Sequence, residues 1–262
     1  MLLGVAEQIA REAGALLRDR PRALSAESKS TPTDAVTEMD RAAEALIIER
    51  LRQLRPGDGV VGEESGHHEA ADDDAAVTWL VDPLDGTVNY LYGIPHFAVS
   101  IAAQQHGESV AGVVYDVMRD DLYAATRGGG ATCNGAALQC SAQTDLAFSL
   151  VGTGFSYAAD ARSIQSQVLT SVLPGVRDIR RMGSAALDLC MVASGRLDAF
   201  FEAGMLPWDW AAGALIATEA GARFGGLGDR PPGVWTTLAA NETLFRRLEA
   251  LLIGAGDPTA TS

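Results

Sequence analysis

Apolar residues at Leu2, Val5, Ile9, Ala13, Leu16 and Leu17, with Arg and Glu between them, predict an amphipathic helix over residues 2–19. A second helix is expected over about 37–54, where Val36, Met39, Ala43, Leu46, Ile47, Leu51 and Leu54 share a face and Pro56 is the stop. Ser25–Asp34 between them is a loop by composition. Gly59–Gly62 predicts a short strand ending at Glu63, and Val77–Val81 a buried strand ending at Asp82-Pro83; Ser65–Ala76 reads as an exposed connector. Residues 98–126 follow a β-meander pattern, and Gly128-Gly129-Gly130 and Asn134-Gly135 signal turns. The second half predicts a strand at 148–153, helices near 161–173 and 184–194, a strand at 197–202 and a helix over 209–220. A strand at 236–240, a helix starting at Asn241 and a loose tail over 254–262 complete the chain. Without regular βαβ alternation, this mixture predicts α+β layers and not a Rossmann sheet.

Composition narrows the function classes. The 262 residues are 47% hydrophobic and 21% charged, an ordinary globular balance with length enough for a full core. Net charge is 20 − 34 = −14, which disfavours nucleic acid and anionic lipid as partners. Three cysteines (Cys133, Cys140, Cys190) cannot all pair and show no CxxC spacing, as expected of a cytoplasmic protein. The first residues lack a basic region and meet Glu7 early, so no signal peptide is expected. No apolar run approaches the ~18 residues of a membrane span.

The placement of the acids is more informative than their number. Glu63, Asp82 and Asp85 stand at or just past the ends of apolar strands, and Asp209 opens a helix after Pro207-Trp208. If they converge, each like-charged pair at about 4 Å costs on the order of 4 kcal/mol at an effective dielectric of about 20. A divalent, oxygen-preferring ion resolves that repulsion, and without a Cys/His cluster Mg²⁺ is the natural choice. Asp82 and Asp85 lie three apart across Pro83 and can bridge neighbouring ions, with the Leu84 carbonyl as a further ligand. Gly86 lets the backbone approach an anion, and the Gly86 and Thr87 amides would face it if a helical turn begins there. Two ions about 3.5–4 Å apart would activate a water and stabilise a leaving oxygen.

Each acid also has a plain structural explanation. Thr37-Glu38-Met39-Asp40 is a capping-box pattern that would spend Asp40 on its own helix. Asp209 is favoured in a first helical turn by the helix dipole, and Asp82-Pro83 and Asp85-Gly86 suit turns. His67-His68 with Asp72-Asp73-Asp74 lacks a metal-binding spacing and reads as a solvated connector; Arg177, Arg180 and Arg181 read as surface charge, and His96 as packing or rim. Asn241 is better read as an N-cap than as a glycosylation site. No GxSxG, GxxxxGK[ST] or strand-to-helix GxGxxG is present, which removes serine hydrolase, P-loop and dinucleotide readings.

Three blocks reverse the balance. Gly62-Glu63-Glu64-Ser65, Trp79-Leu80-Val81-Asp82-Pro83-Leu84-Asp85-Gly86-Thr87 and Trp208-Asp209-Trp210-Ala211-Ala212-Gly213 resemble, in order and separation, the signature of the inositol monophosphatase family, over about residues 5–250. The resemblance implies a layered α-β-α-β-α sandwich of the sugar-phosphatase type: one catalytic domain over 1–253, its halves meeting near residue 145. It implies that Glu63, Asp82 and the Leu84 carbonyl hold a first Mg²⁺, that Asp82, Asp85 and Asp209 hold a second, and that a third, weaker ion sits near Glu63. Thr87, with Glu63 and Asp40 behind it, would orient and deprotonate the attacking water. Lys29 resembles the family's loop lysine near the phosphate. Arg180, Gly183, Ser184, Ala185 and Glu202 match positions that touch the sugar or cyclitol ring, and Glu63, Leu84, Asp85, Gly86, Thr87 and Asp209 complete the implied substrate contacts.

The resulting expectation is Mg²⁺-dependent hydrolysis of a small polyol phosphomonoester, foremost myo-inositol 1-phosphate, by metal-activated water without a phosphoenzyme. Val88-Asn89-Tyr90 after Asp-Gly-Thr resembles the inositol branch and not relatives that act on adenosine 3′,5′-bisphosphate or histidinol phosphate. Fructose 1,6-bisphosphate and histidinol phosphate stay as alternatives, as does a non-catalytic acidic binding protein that would have lost a ligand. Lithium inhibition and a homodimer are implied by the resemblance alone.

Overall fold

In the computed structural model, residues 1–19, 26–29, 31, 34–68 and 77–256 are described. In chain order the elements are α1 (Leu2–Arg18), β1 (Ala26–Ser28), β2 (Ala35–Thr37), α2 (Glu38–Leu54), β3 (Gly59–Gly62), β4 (Gly66–His68), β5 (Thr78–Asp85) and α3 (Thr87–Tyr92). A meander follows: β6 (Ala98–Gln105), β7 (Glu108–Asp116), β8 (Asp121–Thr126), β9 (Gly130–Cys133) and β10 (Ala136–Ala137). The second half contains β11 (Leu150–Thr153), α4 (Ala159–Val172), β12 (Asp178–Arg180), α5 (Ala185–Ala193), β13 (Ala199–Glu202), α6 (Pro207–Glu219), β14 (Arg223–Gly226), β15 (Thr237–Ala240) and α7 (Glu242–Gly254).

These elements stack in the expected α-β-α-β-α order. One face of the eight-stranded sheet β10-β9-β8-β7-β6-β5-β3-β4 packs on α1 and α2, through Ile9, Leu17, Ile47, Leu51, Trp79, Val99 and Ile101. The other face meets α5 and α6, whose Ala186, Ala211, Ala212 and Ala217 allow close approach. Gly112 of β7 makes room for Ala212: a Cβ there would stand 3.0 Å from its Cα. Beyond these helices lies the second sheet, β12-β11-β13-β15-β14, covered by α4 and α7 through Val168, Val172, Leu244, Phe245 and Leu248. Burying each such large side chain contributes roughly 1.5–3 kcal/mol.

Strand direction places the site. β3 runs parallel to β5, and β11 parallel to β13, so the carboxyl ends of each pair lie together. Glu63 follows β3 directly, its amide donating to Val81 of β5 at 3.1 Å. β5 does not end at Asp82, as expected from Pro83, but continues to Asp85 over a bulge: Asp82 faces Ser100 and Asp85 faces Ala98 of β6. The bulge absorbs the extra residue and tolerates a proline that cannot donate to the ladder.

Other expectations are corrected locally. Gly66–His68, expected in a connector, forms the edge strand β4 against β3. The Asp72-Asp73-Asp74 run and residues 257–262 of the expected tail lie outside the described residues. β11 starts at Leu150 because Asp145 caps a short helical turn at 146–148, accepting from the Ala147 amide at 3.0 Å. Ahead of β13, the Asp198 side chain accepts from the Leu150 amide at 2.8 Å, tying the two strands together. α6 starts at Pro207, a residue suited to the first helical position, which leaves Asp209 within its first turn.

Candidate active site

A cleft of about 480 Å³ opens where the carboxyl ends of β5 and β13 meet the first turns of α5 and α6. It is lined by Lys29, Glu63, Asp82, Leu84, Asp85, Gly86, Thr87, Gly183, Ser184, Ala185, Glu202 and Asp209, all named from the sequence. Asp40 lies fully buried directly behind Thr87. Arg180 is a named residue that the structure does not bring to the cleft. It is half exposed, pairs with Asp178 at 2.6 Å and borders a different groove, while Arg181 lines the cleft. Successive residues at a strand end face opposite ways, so only one arginine of the pair can reach the cleft.

Asp40 makes a contact toward each of the roles weighed for it. Its Oδ2 accepts from the Thr37 amide at 2.8 Å, closing the capping box of α2, and its Oδ1 accepts from the Thr87 hydroxyl at 2.8 Å. Thr87 Oγ1 also lies 3.0 Å from the Leu84 carbonyl, so its one proton is shared between two acceptors. Thr87 opens α3 after Gly86, whose φ of +98° belongs to the left-handed region. A Cβ on Gly86 would stand 3.1 Å from the His96 carbonyl and 3.2 Å from that of Gly183.

Asp85 is held from the other half of the chain. Its Oδ2 accepts from Ser184 Oγ at 2.5 Å and from the Ala186 amide at 2.8 Å, at the start of α5. Burial pushes the Asp85 carboxyl up to about 6, against these hydrogen bonds, which lower it. Asp82 is 3% exposed, and burial followed by the charges of Glu63, Asp85 and Asp209 holds its pKa well above the ordinary value. Asp209 accepts from the Leu206 amide at 2.7 Å, yet burial, with the charges of Glu63, Asp85 and Glu202, keeps it raised too. Burial and the surrounding like charges therefore weaken the ionised forms of Asp82, Asp85 and Asp209.

That donor set fits hard divalent cations: it is all oxygen, strongly acidic, and lacks the positive charge its ionised form needs. Among the described residues no three side chains already converge as a formed metal cage. Glu63 instead pairs with Lys29 Nζ at 2.7 Å, an ammonium that also reaches Glu64. Burial alone would lower the Lys29 pKa, but the two glutamates outweigh it and raise it. A lysine thus supplies part of the cationic charge at the mouth of the cleft.

Four further residues hold or shape the site without having been singled out as functional. Glu44, 2% exposed, accepts from the Glu64 and Ser65 amides at 2.9 and 2.7 Å and fixes the turn that carries Glu63. Asn89 donates to the carbonyls of His96 and Met182, both at 2.8 Å, and so ties α3 to the turn before Ser184. Arg181 offsets the buried carboxyls of Glu202 and Asp188. Asp188 is 1% exposed, and burial with the charges of Glu202 and Asp85 keeps its pKa raised. Glu44 carried no chemical motif, and the partners of Asn89 depend on a contact 93 residues away.

Comparison with known proteins agrees with this geometry. An inositol-1-monophosphatase of Mycobacterium bovis is 45% identical over 95% of this chain and 96% of its own length. The Nus factor SuhB of Escherichia coli K12 is 45% identical over 84% of this chain and 83% of its own. The crystal structure of the extragenic suppressor protein suhB from Bartonella henselae superposes with a TM-score of 0.89 at 37% identity, covering 96% of this chain and 98% of that one. The sequence model of the inositol monophosphatase family matches residues 1–255, end to end across both sheets and all four acids of the cleft, and the chain belongs to that family.

Proposed function

We propose that this cleft hydrolyses small polyol phosphomonoesters, with myo-inositol 1-phosphate preferred, and that Glu63, Asp82, the Leu84 carbonyl, Asp85 and Asp209 hold two Mg²⁺ ions, with a third, weaker ion beside Glu63. Family membership supports the phosphatase class, and the lining of one cleft by acids from both halves of the chain, which the Ser184–Asp85 hydrogen bond links, supports the finer reading. When bound, the ions neutralise phosphoryl charge and lower the pKa of water.

The chain's own residues then divide the work. Thr87, donating its proton to Asp40, keeps its lone pairs to accept a hydrogen bond from the attacking water. Glu63 is the base that takes that water's proton. Glu202, half-buried at the end of β13 and pushed up by burial to about 7, sits between protonation states near neutral pH, so it both donates to and accepts from ring hydroxyls. Arg181 balances its charge. Lys29 borders the cleft mouth, where a phosphate would add to the acids it pairs with.

Sensitivity to lithium at the second ion position, a homodimer and a cytoplasmic location belong to the same reading. A purely non-catalytic role would require the loss of at least one ligand or of Thr87, and all are present in the cleft. Asp85→Asn and Asp209→Asn should each nearly abolish turnover with the fold intact. Wild-type-like activity in either variant would sink the metal assignment. A panel of fructose 1,6-bisphosphate and histidinol phosphate beside myo-inositol 1-phosphate resolves the substrate.

A further inference from the structure

Asp188 is a buried acid that the chemistry above leaves unused. It stands in the first turn of α5 at 1% exposure, and its Oδ1 has no hydrogen-bond partner among the described residues. Capping is the usual reason for an acid at such a place, but Ser184 already caps α5, accepting from the Leu187 amide at 3.3 Å. An unpaired buried polar group is costly and native folds keep few of them, so this one calls for a cause.

The surroundings of Asp188 lead to Glu202. The Asp188 carboxyl carbon lies 3.7 Å from where a Cβ on Gly152 would stand. Gly152 pairs with Phe200 and Thr153 with Phe201, so Glu202 comes opposite Gly154, and its carboxyl covers that glycine so closely that no Cβ fits. Positions two apart along a strand share a face, roughly 6.5 Å from one another. The two carboxyls thus stand over one strip without Cβ atoms, Asp188 inside and Glu202 at the cleft. Leu197 and Phe200 border the strip at Gly152 and bring no competing polar side chain.

The pair shares its charge unequally. Arg181 favours ionisation of both carboxyls, but Glu202 is half-buried and open to the cleft, so it ionises first. Burial, then the charge of Glu202, holds the Asp188 pKa well above the ordinary value. Asp188 therefore keeps its proton and meets the strip as a neutral donor.

We propose that Asp188 is a positioning residue for the ring-binding carboxylate: its acid proton, relayed by one internal water above the Gly152–Gly154 strip, is donated to Glu202 and holds that carboxylate toward the hydroxyls of the substrate. A buried polar group without a protein partner is the usual seat of such a water. The inference rests on the role proposed for Glu202 and adds the residue that sets it. Because Glu202 meets the ring and not the attacking water, the effect falls on KM and spares kcat.

Asp188→Asn and Asp188→Leu separate this role from packing. Asparagine keeps the branched shape and a donor, whereas leucine keeps the shape and removes every polar atom. In the full chain with Mg²⁺, KM for myo-inositol 1-phosphate should stay within about twofold of wild type in Asp188→Asn and rise at least about tenfold in Asp188→Leu, with kcat within about twofold in both. Gly152→Ala, whose Cβ narrows the strip, should act like Asp188→Leu if that variant folds poorly. The infrared difference between wild type and Asp188→Asn at neutral pH should contain the band of a protonated carboxylic acid. A wild-type KM in Asp188→Leu and Gly152→Ala, an equal rise of KM in Asp188→Asn and Asp188→Leu, or absence of that band overturns the proposal. Binding of myo-inositol, followed by ligand-observed NMR, needs no turnover. Weaker binding to Asp188→Leu than to wild type and Asp188→Asn, without phosphate release from any ester, would uphold the positioning role and refute the phosphatase reading.

Discussion

Glu44→Gln tests how the first acid of the cleft is held in place. The buried Glu44 carboxylate accepts two backbone N–H groups, from Glu64 at 2.9 Å and Ser65 at 2.7 Å. Glutamine offers one acceptor oxygen and turns an NH₂ group toward the other amide, so one charge-assisted bond is lost and a buried donor is left unpaired. That costs about 1.5–3 kcal/mol, or a drop of roughly 3–12 °C in Tm for a chain of this size. The loss falls on the turn bearing Glu63, so the Mg²⁺ concentration for half-maximal activity should rise several-fold more than kcat falls. Gly62→Ala should act the same way, because its Cβ would stand 2.5 Å from Glu44 Oε2. Glu49→Gln, on the exposed face of α2, supplies the control. Thermal melts and a Mg²⁺ titration of phosphate release read both effects. If Glu44→Gln melts and saturates like wild type, this account of Glu63 is refuted.

Three other perturbations probe separate parts of the site. Gly86→Ala combines a left-handed φ with two carbonyls at 3.1 and 3.2 Å, and should cost about 1–3 kcal/mol in chemical denaturation along with most of the activity. Arg181→Ala should raise KM for a polyol phosphate several-fold, whereas Arg180→Ala, outside the cleft, should change it by less than about twofold; the opposite ranking would restore Arg180 to the site. His96 is 6% exposed, and burial, then the Arg119 charge, lowers its pKa from 6.5 to about 4. The folded chain therefore binds that proton later than the unfolded chain. Stability should be unaffected by this group above pH 6.5 and fall by up to about 3 kcal/mol as pH drops toward 4. His96→Phe should flatten that part of the profile, and an unchanged slope in urea titrations would refute it.

What could be read from the sequence follows the range of the forces involved. Helices α1 and α2 were legible because their apolar periodicity is local, and the acids of the cleft because their blocks are contiguous. β5 was underestimated because Pro83 argues for a strand end, and only pairing with β6 accommodates it as a bulge. The edge strand β4 exists through its pairing with β3, which the polar residues of 66–68 do not announce. Arg180 and Arg181 are chemically alike, and only the way β12 leads into α5 decides which reaches the cleft. Glu44 and Asn89 act through backbone groups that are distant in the chain, so nothing in their neighbours' identities marks them. Asp40 shows the converse: a capping motif read from four residues was correct, and its second oxygen still served Thr87.

The central claim is Mg²⁺-dependent hydrolysis, and phosphate release from myo-inositol 1-phosphate across a Mg²⁺ titration, with an EDTA control, tests it most directly. The account predicts turnover that rises with Mg²⁺ to saturation and vanishes with EDTA. Absence of phosphate release at every Mg²⁺ concentration, from this ester and from fructose 1,6-bisphosphate and histidinol phosphate alike, would contradict it.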